Sequence, residues 1–344
     1  WRSLFFILFL DAMGMKAFSS EEKVRLLVDC DPGADDVFAL LWLLIQHKFA
    51  EIPLEIVGIT TVGGNVAADK TYENVLRICA MVDEHRIPIG KDHRQIVSED
   101  ASYIHGNDWI GNLWAMLPPV QYPQEVLDSV TMIIEALEKY PDELTIIATG
   151  PLTNLALAEE KKPWILKRAK KIIAMGGAIE MQWNVTPTAE FNIFYDALSA
   201  AKVFSASSRI VLLPLDLTTS MPFTMRDMEN CFISTVNNTQ KQEFMRALTK
   251  FIIATNMKFR ETGYQEGFYI HDAHTVGILL YPHLYKGSFM QVNIETQWEY
   301  TKGQTVVDRR NIVTLQTNCF VAMEFKKEQF LEAITQDFKL FDFS

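Results

Sequence analysis

Four aspartates lie within eight residues of one short stretch of the chain, VDCDPGADDVFALL at residues 28–41. Carboxylates repel one another, and burying them without partners is costly. An apolar strand-like run ends at Asp31, Pro32 and Gly33 turn the chain, and Asp35 and Asp36 begin a helical pattern. One carboxylate could serve as a helix N-cap, but a cap needs only one. The stretch therefore favours a hard divalent cation, calcium or magnesium, over capping alone.

A second carboxylate candidate lies far downstream, in the segment FYIHDAHTVG at residues 268–277. Asp272 could complete the acidic set, and His271 is next to it. His271 and His274 have the i, i+3 spacing of half a zinc site on a helix. No further Cys or His cluster accompanies them, so we prefer calcium. A lone buried His is more often structural than catalytic, and it is the neighbouring Asp272 that favours a functional role for His271.

A third polar group, in the segment NVTPTAEFN at residues 184–192, follows Met175-Gly176-Gly177. Carboxylates accept hydrogen bonds, and amides both donate and accept them, so such a set suits the recognition of hydroxyl groups. Asn and Glu are also ordinary loop residues, so this segment alone predicts little. Its candidates for hydroxyl recognition are Asn184, Glu190 and Asn192.

The elements that must position these groups follow an alternating pattern of strands and helices. Strand-like runs cover residues 24–31, 54–62, 144–148, 171–175 and 209–215. Helical patterns between them cover residues 35–48, 67–82, 124–140, 152–160 and 196–207. Further helices are predicted at 243–259, 273–280 and 327–338, with strand-like pieces at 291–296 and 312–315. The order predicts an α/β fold with an open, mostly parallel central sheet flanked by helices.

The unusual polar clusters all follow predicted strands. In an open parallel sheet, ligands bind outside the carboxyl ends of the strands. We therefore expect one site at that edge, because each of these groups comes directly after a strand: residues 29–36, 61–65, 149–154, 175–177 and Asp216. By strand alternation Asp29 points away from Asp31, so we expect Asp29 to support the site from behind.

With these residues the chain resembles the inosine–uridine-type nucleoside hydrolase family. The matching motifs occur in the family's order and span residues 29–272: DCDPGADD, ITTVGGN, IHGND, ATGPLTN, MGGA, NVTPTAEFN and HD. The resemblance implies calcium-dependent hydrolysis of ribonucleosides to ribose and a free purine or pyrimidine base. It also implies a homo-oligomer, either a dimer or a tetramer.

Residue roles can be carried over only where the motifs match. The groups that resemble the family's calcium ligands are Asp31, Asp36, the Thr149 carbonyl and Asp272. Those that resemble its ribose-binding set are Asp35, Asn65, Asn184, Glu190, Asn192 and the Met175 backbone. Asp31 also resembles the general base that takes a proton from water, and His271 resembles the residue that assists the departing base.

The region around the base departs from the family pattern. Trp109 and Trp183 stand where small residues are expected, and either could stack on a nucleobase or simply pack within its loop. The remaining base-contact candidates are His105, Phe259, Tyr264 and Tyr269. The preferred base is therefore left open.

Composition and the N-terminus set broader limits. The net charge of −11 and the absence of a basic cluster argue against nucleic-acid binding, and the four scattered Cys argue against a disulfide framework. Residues 1–20 contain a short apolar run that is too short to span a bilayer and indicates a truncated signal peptide, or else a disordered tail. We expect secretion, with a cytoplasmic location as the alternative, no stable membrane insertion, and one domain over 21–344.

Two other functions fit parts of the pattern. A metal-dependent phosphohydrolase of the DxD class would use Asp29 or Asp31 as a nucleophile. That class requires a downstream Lys, and a Thr or Val after the second Asp, whereas Pro32 follows here. A non-catalytic ribose or nucleoside binder would keep the pocket without the reaction. Against the binder, no proposed catalytic carboxylate is missing.

Overall fold

The structure of the chain is a computed structural model. It describes residues 23–50, 53–64, 68–92, 106–108, 110–120, 122–181, 184–232, 239–259, 266–308 and 317–341. The N-terminal segment 1–20 and the strand predicted at 312–315 lie outside these residues.

A nine-stranded sheet forms the centre of the described structure, with strand order β4-β3-β2-β1-β5-β6-β7-β11-β8. Its strands are β1 (Val24–Cys30), β2 (Leu54–Thr61), β3 (Ile89–Lys91), β4 (Leu127–Asp128), β5 (Leu144–Ala148), β6 (Lys171–Met175), β7 (Ile210–Leu213), β8 (Tyr285–Met290) and β11 (Cys319–Phe325). Neighbouring strands are parallel from β4 to β11, and only β8 is antiparallel, at the edge. The prediction of a mostly parallel sheet is therefore confirmed.

Helices cover both faces of this sheet. They are α1 (Asp36–Phe49), α2 (Ala68–Met81), α3 (Ser129–Lys139), α4 (Thr153–Lys161), α5 (Phe191–Tyr195), α6 (Ala197–Ala206), α7 (Leu215–Thr218), α8 (Met225–Asn230), α9 (Gln240–Phe259), α10 (Ala273–Leu280) and α11 (Lys327–Phe338). In β1, Leu26 and Val28 belong to one hydrophobic layer and Leu27 to the other. Both sides of the strand are buried, which explains its continuous apolar sequence.

Several predicted elements differ in extent from the observed ones, and the helix predicted at 243–259 begins earlier, at Gln240. The helix predicted at 124–140 begins at Ser129, because Leu127 and Asp128 pair with β3 as an edge strand and the Asp128 carboxylate then caps the helix. The strand predicted at 209–215 ends at Leu213, since Leu215 begins α7. The strand predicted at 291–296 is β9 (Val292–Ile294), which pairs with β10 (Thr305–Val307) in a separate hairpin.

Four strands of the main sheet were not predicted from the sequence: β3, β4, β8 and β11. Strand β11 lies parallel to β7, and β8 pairs antiparallel with β11 and closes that edge. In β8 the sequence YKGSFM is polar at its centre, so it lacks the apolar run that indicated the other strands. In the described part of the chain, no helix is both long and apolar enough to cross a membrane.

Candidate active site

Asp29, the next-to-last residue of β1, is held by neighbouring elements. Its Oδ1 accepts hydrogen bonds from Thr60 Oγ1 at 2.7 Å and from Asn154 Nδ2 at 2.8 Å. The side chain is buried, and these neutral donors lower the cost of burying its charge. This placement agrees with the supporting position expected for Asp29, although the sequence analysis gave no role to Thr60 or Asn154.

Asp31, just beyond β1, is buried against two glycines. A Cβ atom on Gly64 would lie 2.2 Å from Asp31 Oδ2, and one on Gly150 would lie 2.5 Å from Oδ1. Real Cβ atoms do not approach a carboxylate so closely, so any larger residue at either position would displace the Asp31 carboxylate. The loops after β2 and β5 thus fix the position of the proposed general base.

A compact group of three carboxylates lies beside it. Oxygens of Asp35, Asp36 and Asp272 lie within 4.8 Å of one another, and we refer to these residues as the carboxylate triplet. Asp36 accepts hydrogen bonds from the Gly33 N–H at 3.0 Å and from Thr149 Oγ1 at 2.8 Å. The Oδ1 atom of Asp35 is buried without a hydrogen-bond partner among the described residues.

Burial and mutual repulsion raise the pKa values of two members of the triplet, Asp36 and Asp272. Burial, and then the charge of Asp35, raises the pKa of Asp36 to about 7. Burial, and then the charge of Asp36, raises the pKa of Asp272 well above its ordinary value. A cation would reverse both effects by favouring the ionised carboxylates. The donor set is made of oxygen atoms alone and fits a hard divalent cation such as calcium or magnesium.

The triplet and the metal ligands predicted from sequence overlap only in part. Asp36 and Asp272 belong to both sets, whereas Asp35 was predicted to bind ribose. Asp31 is outside the triplet, but its charge contributes to the raised pKa of Asp272. The Thr149 carbonyl, the fourth predicted ligand, accepts a hydrogen bond from Asn192 Nδ2 at 2.8 Å.

Glu190 and Asn192 connect the loop after β6 to this group. Glu190 is the N-cap of α5, with its Oε2 accepting from the Gly177 N–H at 2.8 Å and its Oε1 from the Asn192 N–H at 2.9 Å. Burial raises the pKa of the Glu190 carboxyl. Asn192 Nδ2 also donates to the Met175 carbonyl at 3.3 Å. Three of the predicted ribose contacts are therefore linked through hydrogen bonds to one another.

Two further polar residues shape the same loop. Asn184 is exposed, and its Oδ1 accepts a hydrogen bond from the Phe191 N–H at 3.0 Å. The Asp216 carboxylate accepts hydrogen bonds of 2.6–3.1 Å from three backbone N–H groups of the loop, those of Ile179, Glu180 and Met181. The sequence indicated Asp216 only by its place after a strand, and the structure shows that it anchors the loop.

His271, next to Asp272, is half-buried, and its side chain makes one hydrogen bond to the described part of the chain. Its Nδ1 lies 2.7 Å from Thr218 Oγ1, and its ring centre lies 5.7 Å from that of Tyr269. Burial lowers the pKa of His271, and the nearby charge of Asp35 opposes that shift. The sequence analysis did not identify Thr218, because it lies 53 residues away in the chain.

His274 belongs to the hydrophobic core. Its ring stacks on Phe330 at 4.5 Å, and its Nδ1 lies 3.2 Å from the Tyr285 hydroxyl. Burial lowers the pKa of His274 to about 3. His271 and His274 have different partners, so the structure gives no support to a shared zinc site.

Several residues predicted to contact the substrate lie outside the described part of the chain. They are Asn65, His105, Trp109, Trp183, Tyr264 and the side chain of Phe259. Tyr269 is described, and its ring next to His271 agrees with a position on the leaving-group side.

Comparison with known proteins gives consistent matches along the chain. A sequence model described as "Inosine-uridine preferring nucleoside hydrolase" matches residues 26–332. The pyrimidine-specific ribonucleoside hydrolase RihA of Citrobacter koseri is 31% identical over 313 residues, which cover 90% of this chain and 96% of that protein. RihA of Photobacterium profundum is 31% identical over 314 residues, covering 90% and 97%.

Solved structures agree with the sequence matches. A purine-preferring ribonucleoside hydrolase from Gardnerella vaginalis superposes with a TM-score of 0.82 at 25% identity, covering 92% of this chain and 98% of that one. A plant nucleoside hydrolase, PpNRh1, superposes with a TM-score of 0.81 at 26% identity, covering 92% and 99%.

Proposed function

This chain belongs to the inosine-uridine preferring nucleoside hydrolase family, and we propose that it hydrolyses the N-glycosidic bond of ribonucleosides with the help of a bound calcium ion. Family membership makes the chain a ribonucleoside hydrolase and displaces the phosphohydrolase and the non-catalytic binder considered from sequence. The dependence on calcium, the residue roles and the base preference are the content of the proposal.

The observation that carries the calcium proposal is the carboxylate triplet. Two buried carboxyl groups and a half-buried one, with oxygens within 4.8 Å of one another, would be costly to ionise together without a compensating positive charge. Calcium takes six to eight oxygen ligands in flexible geometry, which suits a group supplied by several loops. We propose that Asp36 and Asp272 hold the ion, with Asp31 and the Thr149 carbonyl completing the protein ligands.

The proposed mechanism divides the reaction between two sides of the sugar. Cleavage builds positive charge at C1′, which the surrounding carboxylates stabilise, while Asp31 accepts a proton from the attacking water. When bound, calcium would orient the ribose hydroxyls and lower the pKa of the water. On the other side, His271 stabilises the negative charge that develops on the departing base. A water nucleophile with one base carboxylate favours direct displacement over a covalent intermediate.

Ribose recognition in this proposal depends on both vicinal hydroxyls. The described side chains assigned to them are Asp35, Asn184, Glu190 and Asn192. Asn65 and the Met175 backbone complete the proposed set. A substrate that lacks the 2′-hydroxyl leaves buried polar groups without partners, which costs on the order of several kcal/mol. We therefore propose that 2′-deoxyribonucleosides are poor substrates.

For the base, we propose acceptance of both purines and pyrimidines. The relatives point in both directions, since RihA is named pyrimidine-specific and the Gardnerella vaginalis enzyme is named purine-preferring. Contacts are proposed from Tyr269 and from Phe259, whose side chain is not described. Others are proposed from residues outside the described structure: His105, Trp109, Trp183 and Tyr264. Product analysis with inosine, guanosine, adenosine, uridine and cytidine would establish the preference.

Removal of the metal tests the proposal directly. Exhaustive chelation, verified by elemental analysis, should abolish base release from the preferred nucleoside, and added calcium should restore it. Magnesium and zinc at the same free concentration serve as controls for ion identity. Full activity in protein verified to be metal-free would refute the dependence on metal, and restoration by zinc alone would refute the choice of calcium.

A further inference from the structure

The contact between Thr218 and His271 supports an inference that neither the sequence motifs nor the family comparison supplies. We propose that Thr218 is a positioning residue, whose hydroxyl fixes the orientation and tautomer of the His271 ring for its work on the departing base. The inference rests on the role proposed above for His271. The observation that supports it is the distance of 2.7 Å between Thr218 Oγ1 and His271 Nδ1.

The Thr218 hydroxyl is placed to contact His271 rather than to bond its own helix. Thr218 is fully buried at the end of α7, and its backbone N–H already donates to the Pro214 carbonyl at 3.1 Å. Its neighbour Thr219 behaves differently, because the Thr219 hydroxyl donates to the Leu215 carbonyl at 2.6 Å. Two adjacent threonines thus use their hydroxyls for different purposes, one for the helix and one for the histidine.

The direction proposed for this hydrogen bond, with the Thr218 hydroxyl as donor, decides which ring nitrogen carries the proton. When the Thr218 hydroxyl donates to Nδ1, the neutral imidazole must carry its proton on Nε2. That N–H is then a donor for the leaving base without requiring a charged ring. Among the described residues Thr218 is the only hydrogen-bond partner of the His271 side chain. Nε2 is therefore left for the substrate.

The position of α7 is itself tied to the site. Asp216 lies two residues before Thr218 and anchors the loop after β6, because its carboxylate accepts hydrogen bonds from the Ile179 and Glu180 N–H groups. Leu215 N–H donates to the Gly177 carbonyl at 2.9 Å. One short helix therefore joins the loop that carries the ribose contacts to the residue that orients His271, and a fixed α7 keeps the leaving-group side in register with the sugar.

Leaving-group dependence tests the inference. Thr218→Val keeps the shape and removes the hydroxyl, Thr218→Ser restores the hydroxyl, and Thr219→Val is the matched control on the same helix. We expect Thr218→Val to lower kcat for inosine and uridine by about 10- to 100-fold, a part of the effect of losing one hydrogen-bond donor to the charge that develops on the base. It should change the rate with p-nitrophenyl riboside by less than about threefold, because nitrophenolate leaves without a proton.

The controls follow from the same geometry. Thr218→Ser should keep nucleoside kcat within about threefold of the wild type, and Thr219→Val should leave the ratio of the two substrates unchanged. In a His271→Ala background, Thr218→Val should cause no further loss, because the hydroxyl acts only through the ring. Equal losses on both substrates, or additive losses in the double variant, would overturn the inference.

A measurement without turnover separates this inference from the proposed function. Nitrogen-15 NMR of histidine-labelled protein, with the His271 signals assigned by their loss in His271→Ala, reports the tautomer directly. The wild type and Thr219→Val should show the Nε2–H tautomer, and Thr218→Val should shift the Nδ1 signal. A wild-type Nδ1–H tautomer would overturn the inference even if Thr218→Val does not fold. If the wild type hydrolyses no nucleoside, the proposed function fails, while the spectra still test the contact.

Discussion

Two regions connected by the same pair of helices bury carboxylates in opposite ways. Helices α1 and α10 pack against each other, and their N-terminal ends meet at the carboxylate triplet. Farther along α1, Trp42 Nε1 donates to Asp337 at 2.7 Å. At the C-terminal end of α10, the Tyr281 hydroxyl donates to the same carboxylate at 2.9 Å. Asp337 thus receives neutral donors from both helices, whereas the triplet brings acidic groups together.

The difference separates carboxylates that complete the fold from carboxylates placed to bind something. At Asp337 the hydrogen bonds from neutral side chains oppose the rise in pKa that burial causes, and no other acidic group of the described chain adds to that rise. At Asp36 and Asp272 the repulsion between neighbouring carboxylates adds to burial and raises the pKa values further. A buried polar group without enough partners is costly. At Asp337 the chain supplies neutral donors that reduce this cost, whereas in the carboxylate triplet the neighbouring carboxylates add to it. The difference suggests that a ligand compensates the charge of the triplet.

The largest expected effect is on catalysis, and it compares a site carboxylate with the one in the core. Asp31→Asn keeps the shape of the side chain but removes its charge and basicity, so kcat should fall by about 10²- to 10⁴-fold on every nucleoside. Asp337→Asn should change kcat by less than about threefold, because the hydrogen-bond donors described for its carboxylate, Trp42 and Tyr281, belong to the core. Initial rates at saturating substrate measure both. Similar losses of kcat in the two variants would contradict the assignment of a catalytic role to Asp31 and a structural role to Asp337.

The second effect is on stability, and here the larger loss is expected in the core, at Asp337, rather than at the site. Asp337→Ala leaves the Trp42 and Tyr281 donors buried without an acceptor, which should lower the free energy of unfolding by about 3 kcal/mol. Asp36→Asn in metal-free protein at pH 8 should be neutral or stabilising, since it removes a repelling charge from the triplet. Urea unfolding of both variants gives the comparison. A larger loss for Asp36→Asn would contradict it.

The third effect is linkage of calcium to stability. A ligand that binds only the folded state adds about 2.7 kcal/mol at a concentration of 100 times its Kd. We expect calcium to raise the Tm of the wild type and of Asp337→Asn alike, and to leave the Tm of Asp272→Asn nearly unchanged. Thermal unfolding with calcium and with chelator measures the shifts. An unchanged calcium response in Asp272→Asn would place the ion elsewhere.

The smallest effect is the pH dependence contributed by His274, which lies between the two regions on α10. The pKa of His274 is about 3 in the folded chain and about 6.5 when unfolded, so between these values the unfolded state binds more protons. Its contribution should therefore be constant above pH 6.5 and decrease by about 1.4 kcal/mol for each pH unit below. The pKa of Asp36 is raised, so its contribution in metal-free protein changes in the opposite direction, decreasing as the pH rises toward 7.

The contribution of His274 can be isolated by difference. His274→Gln keeps a polar group near the Tyr285 hydroxyl and does not titrate, whereas Asp36 is present in both proteins. The difference in unfolding free energy between wild type and variant should shrink from pH 7 to pH 5 in calcium-free buffer. A difference independent of pH would show that burial does not suppress protonation of this ring.

Local patterns predicted the elements whose sequence alone carries the signal. Strands β5 and β6 and helices α10 and α11 were predicted with their observed boundaries, because each is a run of buried residues or an amphipathic repeat. Strand β8 was not, because its centre is polar and contains Gly287. A Cβ atom at Gly287 would lie 2.0 Å from the Val321 carbonyl oxygen of β11, so that glycine is explained only by the neighbouring strand.

The sequence by itself determined the chemical types at the candidate site and the edge of the sheet where they meet. Parallel strands end at one edge, so the residues after each strand had to lie near one another. Only the tertiary structure decided which of them touch: Asp35 joins Asp36 and Asp272, His271 contacts Thr218, and His274 faces the core. Spacing along the chain fixes neighbours within one strand or helix. Distances between side chains of different elements depend on how those elements pack, and no local pattern encodes that.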